Sequence, residues 1–169
     1  MPTAGKLLPS ERARHGCKSA PPWEKAAGKP CARSGSMTNS GSLSGRHVLV
    51  VEDDADSRNA IRLTLEASGA NVGTAANATE ALAALVARPF DVVVSDLAMP
   101  EQSGFWLITK IRQLFTRHVP VIAVTGHPFP PEGVRRAGFD DVMPKPPDPD
   151  ALCAAVAALL PDEDRPTHV

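Results

Sequence analysis

Two acids, Glu52 and Asp53, follow the apolar run Val48-Leu49-Val50-Val51, and a third, Asp96, closes the run Val92-Val93-Val94-Ser95. Two further apolar runs end on other polar chemistry: Val121-Ile122-Ala123-Val124 on Thr125, and Asp141-Val142-Met143 on Pro144 and Lys145. Three carboxylates brought close together repel, so they either raise a pKa or hold a hard cation, and oxygen donors without His or Cys favour Mg²⁺. The hydroxyl of Thr125 and the ammonium of Lys145 are donors suited to phosphoryl oxygens, and Asp96 is the group that could receive a phosphoryl. In such a transfer the protein mainly positions the parts and neutralises charge.

That chemistry requires the ends of four apolar runs to meet. The runs read as strands at His47 to Val51, Asn71 to Ala75 (the weakest), Asp91 to Ser95, Val119 to Val124 and Asp141 to Met143. Between them lie helical stretches: one with Ile61 and Leu65 a turn apart and stopped by Gly69, one over Thr79 to Ala87, one over residues 104 to 116, and a last from about Pro149. Alternating strands and helices on this scale imply βαβ units, right-handed crossovers and a parallel sheet covered on both faces. Ligands of such a sheet bind outside the carboxyl ends of its strands, which is where Glu52, Asp53, Asp96, Thr125 and Lys145 fall.

Composition narrows the remaining classes. The chain has 169 residues and a formal net charge of -1, with seven Lys or Arg against two acids in residues 1 to 45 and eleven against seventeen in the rest. Residues 1 to 45 have no apolar period and are rich in Ser, Gly, Pro, Ala and Lys, so they are expected to be a disordered basic tail, with Met37 an alternative natural start that would make 1 to 36 an artefact of gene-start choice. The tail has no apolar secretory core and no aromatics interleaved with its charges, so neither membrane nor nucleic acid is the expected partner. Cys17, Cys31 and Cys153 have no pairing or metal-ligand spacing, which favours a reducing, cytoplasmic setting. The run Ala151 to Leu160 is far shorter than the roughly 20 residues of a membrane helix.

Residues 46 to 161 resemble a response-regulator receiver domain of two-component signalling. The resemblance rests on Val50-Val51-Glu52-Asp53-Asp54, on Ser95-Asp96-Leu97-Ala98-Met99-Pro100 with Gly104, on Val124-Thr125-Gly126 and on Lys145-Pro146, in that order on strand ends. It implies a flavodoxin-like, doubly wound α/β fold: a five-stranded parallel sheet in the order 2-1-3-4-5 with five flanking helices. It also implies Asp96 as phosphoacceptor, Mg²⁺ held by Glu52, Asp53, Asp96 and the Ala98 backbone carbonyl, and Thr125 and Lys145 on the phosphoryl group. Ala98 and His127, each two residues beyond a site residue, would flank the route of hydrolytic water and tune dephosphorylation. Met99 and Pro100 are expected to be structural, and Trp106 to serve helix packing.

Two departures from the family pattern bear on output. The switch position that receivers usually fill with Tyr or Phe holds Val142, and the segment between Thr125 and Gly138 is short and carries Pro128, Pro130 and Pro131, so the fourth helix should be late, short or irregular. The implied function is a phosphorelay receiver that takes its phosphoryl from a phosphohistidine on a histidine kinase or histidine phosphotransfer protein. It is not expected to be an enzyme. With nine residues after Leu160, of which 162 to 169 read as a C-terminal tail, no output domain is expected, so signalling would pass through contacts with an unknown output protein, by a monomer or weak dimer. The motif wording, Lys145-Pro146-Pro147-Asp148 especially, is similar to receivers of hybrid kinases. The alternative is a phosphorylation-independent docking module. An aspartyl phosphatase would need a second acid where Ala98 stands, and no Gly-rich phosphate cradle suggests a nucleotide hydrolase.

Overall fold

The structure, a computed structural model, describes residues 43–160. Five strands, β1 (His47–Val51), β2 (Asn71–Ala75), β3 (Val92–Asp96), β4 (Val121–Thr125) and β5 (Asp141–Pro144), alternate with five helices, α1 (Ala55–Ala67), α2 (Ala78–Ala87), α3 (Gly104–Leu114), α4 (Pro131–Arg136) and α5 (Pro149–Leu159). All four pairings are parallel and the sheet order is β2-β1-β3-β4-β5. This is the flavodoxin-like topology that the strand-end motifs imply. The register places Val51 opposite Ser95 and Asp96 opposite Val124, so the residues that follow β1 and β4 flank the end of β3 on either side.

Every residue of β3 and β4 is buried, because both sheet faces are covered. On one face Leu49, Val51 and Val93 pack with Leu85 of α2, Leu107 and Ile111 of α3, and Phe139. On the other Val48, Val50, Val92 and Val94 pack with Ile61 and Leu65 of α1 and Leu152 and Val156 of α5. Full burial of each such side chain stabilises the fold by about 1.5–3 kcal/mol before entropy is charged against it.

Packing includes a residue that composition assigns to the tail. Leu43, inside the stretch expected to be tail, is fully buried with the second cluster, and its amide donates to the Ser68 carbonyl at 3.1 Å. A single leucine carries no periodicity, so no sequence window marks it. The rest of the tail, with Cys17, Cys31 and Met37, and residues 161 to 169 lie outside the described residues.

Local chemistry ends each element where the site needs it. Asp54 caps α1 by accepting from the Ser57 amide at 2.8 Å, Ser103 caps α3, and Asp148 caps α5. Gly104 starts α3 hard against the sheet: a Cβ there would collide with the Asp96 carbonyl oxygen. α4 spans six residues and has no side-chain cap at Pro130, as its prolines predict. At the far end of the sheet Arg112 ties α3 to the carbonyls of Val119 and Gly138 and to the Asp140 carboxylate, 2.8 Å away.

Candidate functional site

At the carboxyl edge of the sheet the sequence-predicted acids converge. Glu52 leaves β1 with its amide on the Ala75 carbonyl at 3.1 Å, which turns its side chain into the protein, where it is 1% exposed. Asp53, the next residue, is exposed, and Asp96 at the end of β3 is buried. One carboxylate oxygen from each of the three lies within 4.8 Å of the others.

Lys145 joins them from beyond β5, its amide donating to the Thr125 carbonyl at 2.9 Å. Its Nζ stands 2.6 Å from Glu52 Oε2 and 2.8 Å from Asp96 Oδ2. The contact with Glu52 is an ion pair, and among the described residues no hydrogen-bond partner meets Glu52 Oε1. Burial pushes the Glu52 carboxyl above the usual range, helped by the Asp96 charge and opposed by Lys145. Burial also disfavours the charged form of Lys145, but its contacts with Asp96 and Glu52 outweigh this and its pKa is raised.

A buried, partnerless carboxylate oxygen beside an exposed carboxylate and a third acid is a donor set short of positive charge. All its donors are oxygen, so the residues present fit a hard divalent cation such as Mg²⁺, open to solvent on the Asp53 side. The Ala98 amide donates to Asp96 Oδ1 at 3.1 Å, which orients the carboxylate and places residue 98 beside it.

Thr125 ends β4 and is 6% exposed; its hydroxyl accepts from the His127 amide at 3.1 Å and reaches the His127 carbonyl only at 3.5 Å. His127 is exposed. Val142 is half-buried and packs into the cluster under α3 and α4. The aromatic side chains gather elsewhere: Phe105 of α3 meets Phe129 edge-on at 5.6 Å and Phe139 edge-on at 5.9 Å, and Trp106 packs against the same cluster with Lys110 over its ring.

Sequence reasoning missed Arg58. Its guanidinium Nη1 donates to the Glu52 carbonyl at 2.6 Å and the Asp53 carbonyl at 3.1 Å, and its spacing of one helical turn from Asp54 was the only available signal. It also missed a groove of about 610 Å³ beside Lys145, lined by Ser57, Ile61, Pro146, Pro147 and Leu152 among others.

Known proteins align with this geometry. The family model described as "Response regulator receiver domain" matches residues 48–157. An uncharacterized 14.6 kDa protein of Leptolyngbya boryana is 42% identical over 110 residues, covering 63% of this chain and 84% of that protein. The C4-dicarboxylate transport transcriptional regulatory protein DctD of Rhizobium meliloti is 42% identical over 101 residues, covering 59% of this chain and 22% of that longer protein. Among solved structures, the chemotaxis protein CheY4 of Vibrio cholerae superposes with a TM-score of 0.63 at 30% identity, covering 68% of this chain and 98% of that one. A response regulator receiver protein from Pseudomonas putida gives 0.63 at 32%, covering 67% and 96%. Receiver domains of this kind carry an acidic Mg²⁺ pocket and work with histidine kinases or phosphotransfer proteins, and no described helix is long and apolar enough to cross a membrane. The sheet order, the converged acids and these alignments agree: the chain belongs to the response regulator receiver domain family.

Proposed function

We propose that Asp96 accepts a phosphoryl group from a phosphohistidine of a histidine kinase or histidine phosphotransfer protein, and that a protein partner reads the product. A carboxylate oxygen of Asp96 attacks phosphorus, the P–N bond to the donor's phosphoimidazole, protonated on its other nitrogen, breaks, and its electron pair stays with the leaving nitrogen as a neutral imidazole. The product is an acyl phosphate on Asp96. The observation that carries this reading is the buried Asp96 carboxylate, oriented by the Ala98 amide and faced by Lys145 2.8 Å away, with Glu52 and Asp53 beside it.

Mg²⁺ would be held by Glu52, Asp53, Asp96 and the Ala98 carbonyl, and supplies positive charge to the phosphoryl oxygens when bound. Lys145 contributes a second positive charge from the other side, passing from the Asp96 oxygen to the phosphoryl as the negative charge moves outward. Thr125 exchanges its weak contact with the His127 carbonyl for a phosphoryl oxygen. Ala98 has no polar side chain to orient water, which leaves His127 as the neighbouring residue able to tune hydrolysis. The groove beside Lys145 gives a donor protein an apolar foothold next to the acceptor. The protein is then a stoichiometric acceptor in the cytoplasm rather than an enzyme, acting as a monomer or weak dimer through protein contacts, without nucleic acid or membrane.

A second reading, a docking module indifferent to phosphorylation, draws on Val142 at the switch position and on the six-residue α4. Intact mass after incubation with Mg²⁺ and acetyl phosphate separates the two. One phosphoryl adduct on the wild type and none on Asp96→Asn is the expected result; an unmodified wild type would leave the docking reading standing.

A further inference from the structure

We propose that Arg58 is a positioning residue of the cation site: it sets the backbone from which Glu52 and Asp53 project, without touching the ion. The inference rests on the reading of Glu52, Asp53 and Asp96 as a divalent-cation site. Its basis is one half-buried guanidinium that donates to two consecutive carbonyls, Glu52 O at 2.6 Å and Asp53 O at 3.1 Å.

Those two carbonyls lie where the chain leaves the sheet, between the β1 ladder and the first helical amide bonds, so neither ladder nor helix supplies them a donor. Arg58 reaches back from the second turn of α1 and holds both, while its own amide donates to the Asp54 carbonyl at 2.9 Å. Fixing two successive carbonyls fixes the peptide planes around Asp53. The Cα–Cβ directions of the buried Glu52 and the exposed Asp53 follow, and with them the approach of their carboxylates to Asp96. Hydrogen bonds with a charged donor are the stronger kind, and a planar guanidinium gives them direction.

The two roles open to Arg58 have opposite signs. As a charge, a guanidinium close to the acids repels an incoming cation, so its removal would tighten binding. As a positioner its removal loosens the ligands, and loss of such supporting contacts typically weakens metal affinity by roughly 10–100-fold. Arg62, one turn further along α1 and paired with Glu66 at 2.7 Å, carries the same charge without contact to the site.

The test is Mn²⁺ binding to the full chain, followed by loss of the free-ion electron paramagnetic resonance signal and displaced by Mg²⁺, with urea unfolding of each variant alongside. Arg58→Met is expected to weaken binding by about tenfold or more, and Arg62→Met to leave it unchanged or slightly tighter. Arg58→Lys, which keeps the charge and helix propensity but loses the reach of the guanidinium, is expected to weaken binding severalfold and serves if the Met variant does not fold. Wild-type binding with equal or tighter binding in the folded Arg58 variant overturns this inference alone. A wild type that takes up no Mn²⁺ overturns the cation site beneath it as well.

Discussion

Two corners flank Asp96, one after β1 and one after β4, and they are built differently. The β1 corner is held throughout: Asp54 caps a 13-residue helix, Arg58 holds two carbonyls, and the Glu52 amide sits on Ala75. Hydrogen bonds from the Ser57 amide and then its side chain hold the Asp54 carboxyl below its usual range, as a cap at a helix N-terminus should. The β4 corner has a hydroxyl contact of 3.1 Å and one of 3.5 Å, exposed residues from Gly126 to Pro130, and a six-residue helix without a side-chain cap. The acids are preset, whereas the segment bearing Thr125 and His127 is lightly held. A site that must receive a charged group and then report it gains from rigidity on the first side and freedom on the second.

The largest expected effect tests whether the β4 corner really is light. Phe139 and Phe129 both meet Phe105 edge-on, but Phe139 is 3% exposed and Phe129 40%. Phe139→Ala should cost about 3–5 kcal/mol, the usual range for a buried phenyl. Phe129→Ala should cost about 1 kcal/mol, the worth of an aromatic pair half in water. Urea unfolding of the two variants gives both numbers. Equal costs would mean that the loop is anchored as firmly as the core, and the contrast between corners would be lost.

The preset corner carries its own penalty, readable as a pH dependence. The Glu52 pKa is raised in the fold, so its favourable contribution is complete below the unfolded value near 4.5 and is lost as pH rises through the higher folded value. Lys145 also has a raised pKa, but its contribution is complete everywhere below 10.5 and does not change in that window. Without divalent cations, Glu52→Gln should therefore be more stable than the wild type at neutral pH, because the amide avoids the buried charge while Lys145 keeps Asp96 as its partner. The advantage should shrink as pH falls toward 4.5. Mg²⁺ should stabilise the wild type more than the variant, because the variant lacks one of the site's three carboxylates. A pH-independent difference would show that the crowded acids cost the fold nothing.

How much of this was legible follows the same division. Apolar runs ending in Glu52, Asp96, Thr125 and Lys145 specified the parallel sheet and the edge where its ligands meet, because strand period and strand-end chemistry are local signals. β3 and β4 end one residue later than the runs suggest, with Asp96 and Thr125 as their last strand residues. Pro128, Pro130 and Pro131 foretold the short α4, since a missing amide is also local. Arg58 on two carbonyls, the Phe105 contacts and the burial of Leu43 were illegible, because each depends on where a side chain lands after the backbone has closed.

The smallest expected effect is the most direct probe of the light corner. Thr125→Val keeps the shape and the β branch and removes only the hydroxyl, so the strand should be undisturbed. The His127 amide loses its acceptor but lies in an exposed segment where water replaces it, which puts the cost at about 0.5 kcal/mol, the low end for a hydrogen bond. Hydrogen exchange should sharpen what stability barely registers: the His127 amide should exchange faster, while the Glu52 amide, on the Ala75 carbonyl across the sheet edge, should not change. A cost near 2 kcal/mol, or faster exchange spreading back into β1, would mean that the threonine hydroxyl holds the two corners together and that neither moves alone.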